Sequence, residues 1–293
     1  MKYAAIALAL LAAACSSTPK SDNGKLTVVA SFFPVAEAAQ QVGGDLVKVT
    51  NLTPAGVEPH DLELTTDDID RIQDAAVVFY VGSGFQPGVA EAADRRRSPS
   101  IDVAKNLLTR QAGDATDPHF WLDPLLMIKA VDAIEAGLAR VDRDNAVTFR
   151  ANAAAYKVRL AALDSTYAET LRTCARRQIV TAHVSFAYLA DRYALQQVAV
   201  TGVSPESEAD PQRIAELADL IKRDGVTTVF YEELVPRDFA DVLANEAGVK
   251  TAVLNPLEGL TKKEQKAGND YVTVMRANLR ALAGALACTR AAP

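Results

Sequence analysis

The residues that decide the fold run from Asp142 to Arg172: DRDNAVTFRANAAAYKVRLAALDSTYAETLR. No glycine or proline interrupts them. Apolar side chains recur at Phe149, Ala153, Tyr156, Leu160, Leu163, Tyr167 and Leu171. Every interval is three or four, the spacing of one face of an α-helix. The stretch predicts one amphipathic helix over residues 142–173. About 30 residues at 1.5 Å each span roughly 45 Å. A helix of that length crosses a whole molecule and can join two lobes.

On either side of it, short β-branched runs alternate with helical patterns. Before it, strands are expected at 26–31, 46–52 and 76–81. Helices are expected at 34–42, closed by Gly43–Gly44, from Thr65 with Asp68 as its capping partner, at 88–96, and at 124–141. After it, strands are expected at 178–181, 197–201, 226–231 and 251–254. The helices there follow His183 to Leu195, run from a cap at Asp210 to Asp224, then 236–247 and 262–286. This is the rhythm of parallel sheets with helices on their faces. The expected fold class is therefore α/β, with two parallel-sheet lobes at 26–141 and 174–293 joined by the helix at 142–173.

Composition sets the class. The chain has 293 residues, 49% hydrophobic and 23% charged, with a formal charge of −6. That balance suits a globular protein and argues against nucleic acid or an anionic membrane surface as a partner. At the N-terminus, Lys2 precedes an apolar run, Ala4–Ala14, far short of the roughly 20 residues of a membrane span. It ends in Leu11-Ala12-Ala13-Ala14-Cys15, which resembles a bacterial lipoprotein signal peptide. Residues 1–14 would be removed, and residues 15–25 would form the lipidated Cys15 and a polar, flexible tether. A plain secretory signal cleaved near Ala14 is the alternative. With Cys15 lipidated, Cys174 and Cys288 remain to pair in an oxidising compartment, or to stay as two buried thiols.

Only three histidines are present. His60 follows a strand in the loop Thr53-Pro54-Ala55-Gly56-Val57-Glu58-Pro59-His60. His119 precedes a helix in Asp117-Pro118-His119-Phe120-Trp121-Leu122-Asp123-Pro124. His183 ends a strand. Ligands of open α/β sheets bind outside the carboxyl ends of the strands, and neutral imidazole is the commonest metal ligand. Taken singly, each histidine reads as a structural residue. Taken together, their placement reads as a metal site. Asp61, Asp117 and Asp123 are candidates to accept the second ring N–H, although Asp123 before Pro124 also fits a helix cap.

Several stretches extend this reading. They are Val29-Ala30-Ser31-Phe32-Phe33-Pro34, Pro59-His60-Asp61, His119-Phe120-Trp121-Leu122-Asp123-Pro124, Thr181-Ala182-His183, Gly202-Val203-Ser204-Pro205-Glu206-Ser207-Glu208 and Leu254-Asn255-Pro256-Leu257. In order and spacing the chain resembles the metal-binding lipoproteins of zinc and manganese ABC importers, the ZnuA/TroA-like solute-binding family. The resemblance implies a metal in a cleft between lobes, with His60 and His119 from the first and His183 from the second. Many relatives carry Asp where this chain has Asn255. The fourth ligand is therefore open among Glu258, ranked first, then water, Asn255 and Glu58.

Three imidazoles with at most one carboxylate suit tetrahedral Zn2+. Manganese relatives usually replace the third histidine, which here is kept as His183. The histidine-rich loop of many zinc relatives has no counterpart. The resemblance implies an extracytoplasmic, lipid-anchored, monomeric receptor that delivers Zn2+ to an ABC importer permease. A manganese receptor and an adhesion lipoprotein with structural metal are the alternatives. Three histidines can also build a hydrolytic zinc site. No His-Glu-x-x-His or Gly-x-Ser-x-Gly motif accompanies them, so no enzyme is expected.

Overall fold

A computed structural model describes residues 21–22, 24–107, 110–204, 211–290 and 292. The expected signal peptide, Cys15, the tether up to Lys20 and the cap Asp210 lie outside the described residues. The tether expectation is corrected at its end. Gly24, at φ 80°, turns the chain so that β1 (Ser21–Asp22) pairs antiparallel with the start of β2 (Lys25–Ala30).

The first lobe continues with α1 (Phe33–Gly43), β3 (Val47–Asn51), α2 (Thr66–Asp74), β4 (Val77–Tyr80), α3 (Pro87–Asp94) and β5 (Ser100–Asp102). The parallel strands lie in the order β3-β2-β4-β5. Alternate residues face opposite layers. Val28, Ala30, Val77 and Phe79 meet α1 and the later helices, while Val29 and Val78 meet Ile72 of α2 and Val89 of α3. Thr65 and Asp68 form the expected capping box on α2. A small hairpin, β6 (Gln111–Ala112) and β7 (Ala115–Thr116), leads to α4 (Pro124–Val141).

The expected long helix is α5, Ala146–Leu171. All seven apolar positions of its predicted face are buried, at 0–3% exposure. Its start is corrected from 142 to 146. The Asp142 carboxylate accepts from both the backbone and side-chain N–H of Asn145, which makes a tight turn between α4 and α5.

The second lobe holds β8 (Gln178–Thr181), α6 (Ala187–Arg192), β9 (Gln196–Ala199), α7 (Pro211–Asp224), β10 (Thr228–Tyr231), α8 (Asp238–Ala247), β11 (Lys250–Val253), α9 (Lys262–Lys266) and α10 (Tyr271–Ala285). Its four parallel strands run β11-β10-β8-β9. One face packs on α7 and α8 through Val180, Val229, Leu217, Ile221 and Leu243. Through Ile179 and Phe230, the other face joins the same apolar core as α1, α4, α5 and α10. The expected single last helix is two. Gly268, at φ 74°, breaks it, and Asp270 caps the restart by accepting from Thr273 N–H. Four short strands, β1 and β5 to β7, have no counterpart in the sequence expectation, because two or three residues carry no readable period.

Cys174 and Cys288, 114 positions apart in sequence, are joined in a disulfide. It closes the second lobe into a covalent ring. For a loop this long the cross-link is worth roughly 4–5 kcal/mol. The double variant Cys174→Ser/Cys288→Ser should lose about that much in urea unfolding.

A tie between the lobes is Glu37 of α1, which accepts the Tyr271 N–H at the start of α10 (2.6 Å). Burial pushes its carboxyl up to about 7, Tyr271 N–H opposes that, Asp270 adds to it and Arg159 opposes it. Between about pH 4.5 and 7 the folded chain thus holds a proton that the unfolded chain has lost. Stability from this group is full below that window and falls as pH rises through it. Glu37→Gln should be more stable than the parent at pH 8, by up to about 3 kcal/mol, and equal to it near pH 4. Thermal melts across that range test this.

Candidate metal centre

Four loops at the carboxyl ends of strands converge. The first carries His60 in a turn, Pro59–Asp61, where Glu58 Oε2 accepts the His60 backbone N–H (2.8 Å). The second carries His119 between β7 and the turn Phe120–Leu122. Asp117 Oδ1 accepts both the His119 backbone N–H (2.9 Å) and its Nδ1–H (2.7 Å). The third carries His183 just past β8, with Nδ1 2.7 Å from Glu232 Oε1 at the end of β10. The fourth, after β11, carries Glu258.

That fourth loop is shaped by Asn255. Its Oδ1 accepts the Leu257 N–H (2.7 Å), which supports Leu257 at φ 59°. Asn278 of α10 holds the Asn255 backbone on both sides, accepting its N–H (2.8 Å) and donating to its carbonyl (2.6 Å). Trp121 donates to the Pro256 carbonyl (2.8 Å), and Tyr271 donates to the Trp121 carbonyl (2.5 Å). Behind the imidazoles, Trp121 lies 5.1 Å from His119 and Phe85 lies 4.8 Å from His60, between ring centroids.

The result is one compact group: His60, His119, His183 and Glu258, with one donor atom from each and all within 4.8 Å of one another. Glu258 Oε1 lies 2.8 Å from His119 Nε2, 3.2 Å from His183 Nε2 and 3.4 Å from His60 Nε2. The Nε2 atoms of His119 and His183 are 3.3 Å apart. A tetrahedron with arms of about 2.05 Å has edges of about 3.3 Å. Three of the four spacings, 3.2–3.4 Å, match that edge, the fourth is 2.8 Å, and the whole set lies within 4.8 Å. His60 Nε2 is buried without a hydrogen-bond partner, which a cation would supply. With a metal bound, Asp117 and Glu232 would accept from the Nδ1–H groups of His119 and His183 and leave the Nε2 lone pairs to the ion.

The electrostatics fit a cation. Burial opposes charge on His119 and His183. Asp117 and Glu258 nevertheless raise the first, and Glu232 and Glu258 raise the second well above the ordinary imidazole range. Burial likewise opposes charge on Glu258, yet His183 and His119 hold it well below the usual carboxylate range. The surroundings thus favour positive charge at His119 and His183, where a metal ion would supply it.

Of the residues read from sequence, the structure brings together the three histidines and Glu258. Asn255 is engaged in its own turn and donates to Glu264 (3.3 Å). Glu58 caps the His60 turn, and burial with Glu258 beside it pushes its carboxyl up to about 9. Asp117 backs His119. Asp123 caps α4 by accepting the Leu125 N–H, and Asp61 is exposed. Sequence reading missed Glu232. Its one available signal is its place at the end of a strand next to the one that His183 follows.

Comparison with known proteins agrees with this geometry. The family model described as zinc-uptake complex component A, periplasmic (ZnuA) matches residues 28–285. The chain belongs to this family. Among its relatives, the zinc-binding lipoprotein AdcA of Streptococcus pneumoniae is 38% identical over 94% of this chain. The chain spans 58% of that protein's length. The high-affinity zinc uptake system protein ZnuA of Bacillus subtilis is 35% identical over 94% of both chains. The crystal structure of the Zn(II)-bound ZnuA-like domain of S. pneumoniae AdcA superposes with a TM-score of 0.79. It is 40% identical to this chain, and the match covers 90% of this chain and 99% of that one. The fold is therefore the two-lobe α/β architecture of the ZnuA family.

Two outcomes test the surroundings of the site. Glu232→Gln leaves His183 Nδ1 without its anionic acceptor and should weaken zinc binding roughly 10–100-fold with the fold intact. Calorimetry in buffers of different ionisation enthalpy should show proton release on binding, and apparent affinity should fall as pH falls.

Proposed function

We propose that the chain is an extracytoplasmic zinc receptor. It captures Zn2+ with His60, His119, His183 and Glu258 and delivers it to an ABC importer permease. The observation that carries this reading is the buried group of four donors, all within 4.8 Å of one another. Its ligands come from both proposed lobes, residues 26–141 and 174–293, across the linking segment 142–173 that contains α5. In this reading the signal peptide is removed and lipid on Cys15 holds the monomer at the membrane. Among the described residues no helix is long and apolar enough to cross a membrane.

Four protein donors close the coordination shell. A hydrolytic zinc site keeps one position open for water, so the arrangement supports capture of cargo over catalysis. The imidazole-rich set favours zinc over manganese, which suits oxygen ligands. The family's role as a solute-binding component of an uptake system points the same way.

His183→Ala should weaken zinc binding by orders of magnitude in calorimetry while leaving circular dichroism unchanged; unaltered affinity would remove His183 from the site. Glu258→Gln should weaken zinc more than Asn255→Ala. The reverse ranking would move the fourth ligand to Asn255.

A further inference from the structure

Two of the ligands are tied together outside the centre itself. His119 is oriented by Asp117, a fully buried residue whose Oδ1 accepts both the backbone N–H and the Nδ1–H of His119. A carboxylate aims an imidazole only as well as its own backbone is held. Asp117 closes the stem of the β6–β7 hairpin, where its N–H donates to the Arg110 carbonyl (3.1 Å). On its other side, the Asp117 carbonyl accepts from the hydroxyl of Tyr188 (3.3 Å). The same hydroxyl accepts the Arg110 N–H (3.3 Å). One phenolic oxygen thus bridges the two residues that flank the hairpin.

Tyr188 belongs to the second lobe. It lies on α6, which begins four residues after His183, and it is buried. Asp191 of the same helix pairs with the Arg110 guanidinium, which also lies 6.0 Å from the centroid of the Tyr188 ring. The segment that carries His183 therefore reaches over to the residue behind His119. We propose that Tyr188 is a positioning residue for the metal centre: its hydroxyl fixes Asp117 and, through Asp117, the aim of His119. This inference rests on the zinc-receptor reading.

The hydroxyl is what matters here. A phenylalanine would fill the same space with the same ring. Only the hydroxyl can donate to one backbone group while accepting from another, and its loss leaves the buried Asp117 carbonyl without that donor. The bond joins the lobes, since its donor follows His183 and its acceptor precedes His119. Its effect falls on how long the ion stays. Differences among variants of one binding site reside mostly in the dissociation rate.

Stopped-flow mixing of the zinc-loaded full chain with excess chelator gives that rate. Tyr188→Phe should release zinc roughly three- to tenfold faster than the parent, as expected for one lost buried hydrogen bond, with an unchanged circular dichroism spectrum. The Co2+-loaded chain gives a second readout. Four-coordinate Co2+ absorbs strongly in the visible, and Tyr188→Phe should shift or weaken those bands as His119 loses its aim. A merely structural role would lower stability without moving them. Asp117→Ala should itself speed release. In that background Tyr188→Phe should add little, because the carboxylate through which it acts is gone. If Asp117→Ala does not fold, His119→Gln takes its place in the cycle with the same expectation. A Tyr188→Phe chain with the parent's dissociation rate and Co2+ bands overturns the proposal. So does an undiminished effect of Tyr188→Phe in the Asp117→Ala or His119→Gln background, because the hydroxyl would then act by another route. Absence of zinc binding in the parent would instead overturn the receptor reading itself, and this inference with it.

Discussion

The structure depends on one buried carboxylate. Glu258 is 1% exposed and has three imidazole nitrogens within 3.4 Å. An isolated charge in such a place is very costly. It persists because positive charge is favoured around it, at His119 and His183 or on a metal ion held by the four side chains. The same balance explains the outer carboxylates. Asp117 and Glu232 each sit behind one histidine and favour a positive centre. Negative charge is thus placed in two layers around a point where positive charge must stand.

Holding four side chains to that point requires stiff supports, and the fold provides them at strand ends. The loop of Glu258 is clamped by Asn278 from α10 and by the indole of Trp121. Trp121 in turn lies against His119, and its carbonyl is bonded to Tyr271 of α10. Gly56 N–H donates to the Leu260 carbonyl (2.8 Å), which links the His60 loop to the loop that follows β11. The donors therefore come from distant parts of the sequence but share one network of supports.

Much of this was legible in the sequence, for identifiable reasons. The face of α5 could be read because seven apolar residues at helical spacing are all buried on one core. The histidines could be read because each stands where an α/β sheet places ligands. The limits were equally physical. The role of Glu232 depends on β8 and β10 lying side by side, a pairing set by topology that a lone Glu after a strand does not announce. Asn255 matched the family position of a ligand, but its side chain is used by the backbone of its own turn. The break at Gly268 was hidden inside an otherwise helical pattern, where an isolated glycine is tolerated at a cost of about 1 kcal/mol.

The apolar core has a mechanical consequence. It runs without interruption from the first sheet through α5 and α10 to Ile179 and Phe230 on the inner face of the second. The two sheets are leaves of a single spring more than bodies on a loose joint. Zinc–nitrogen distances in proteins fall within about 0.2 Å of their usual value. In the proposed receptor, a flexure too slight to alter the molecule's outline would therefore be enough to carry one imidazole out of ligating range.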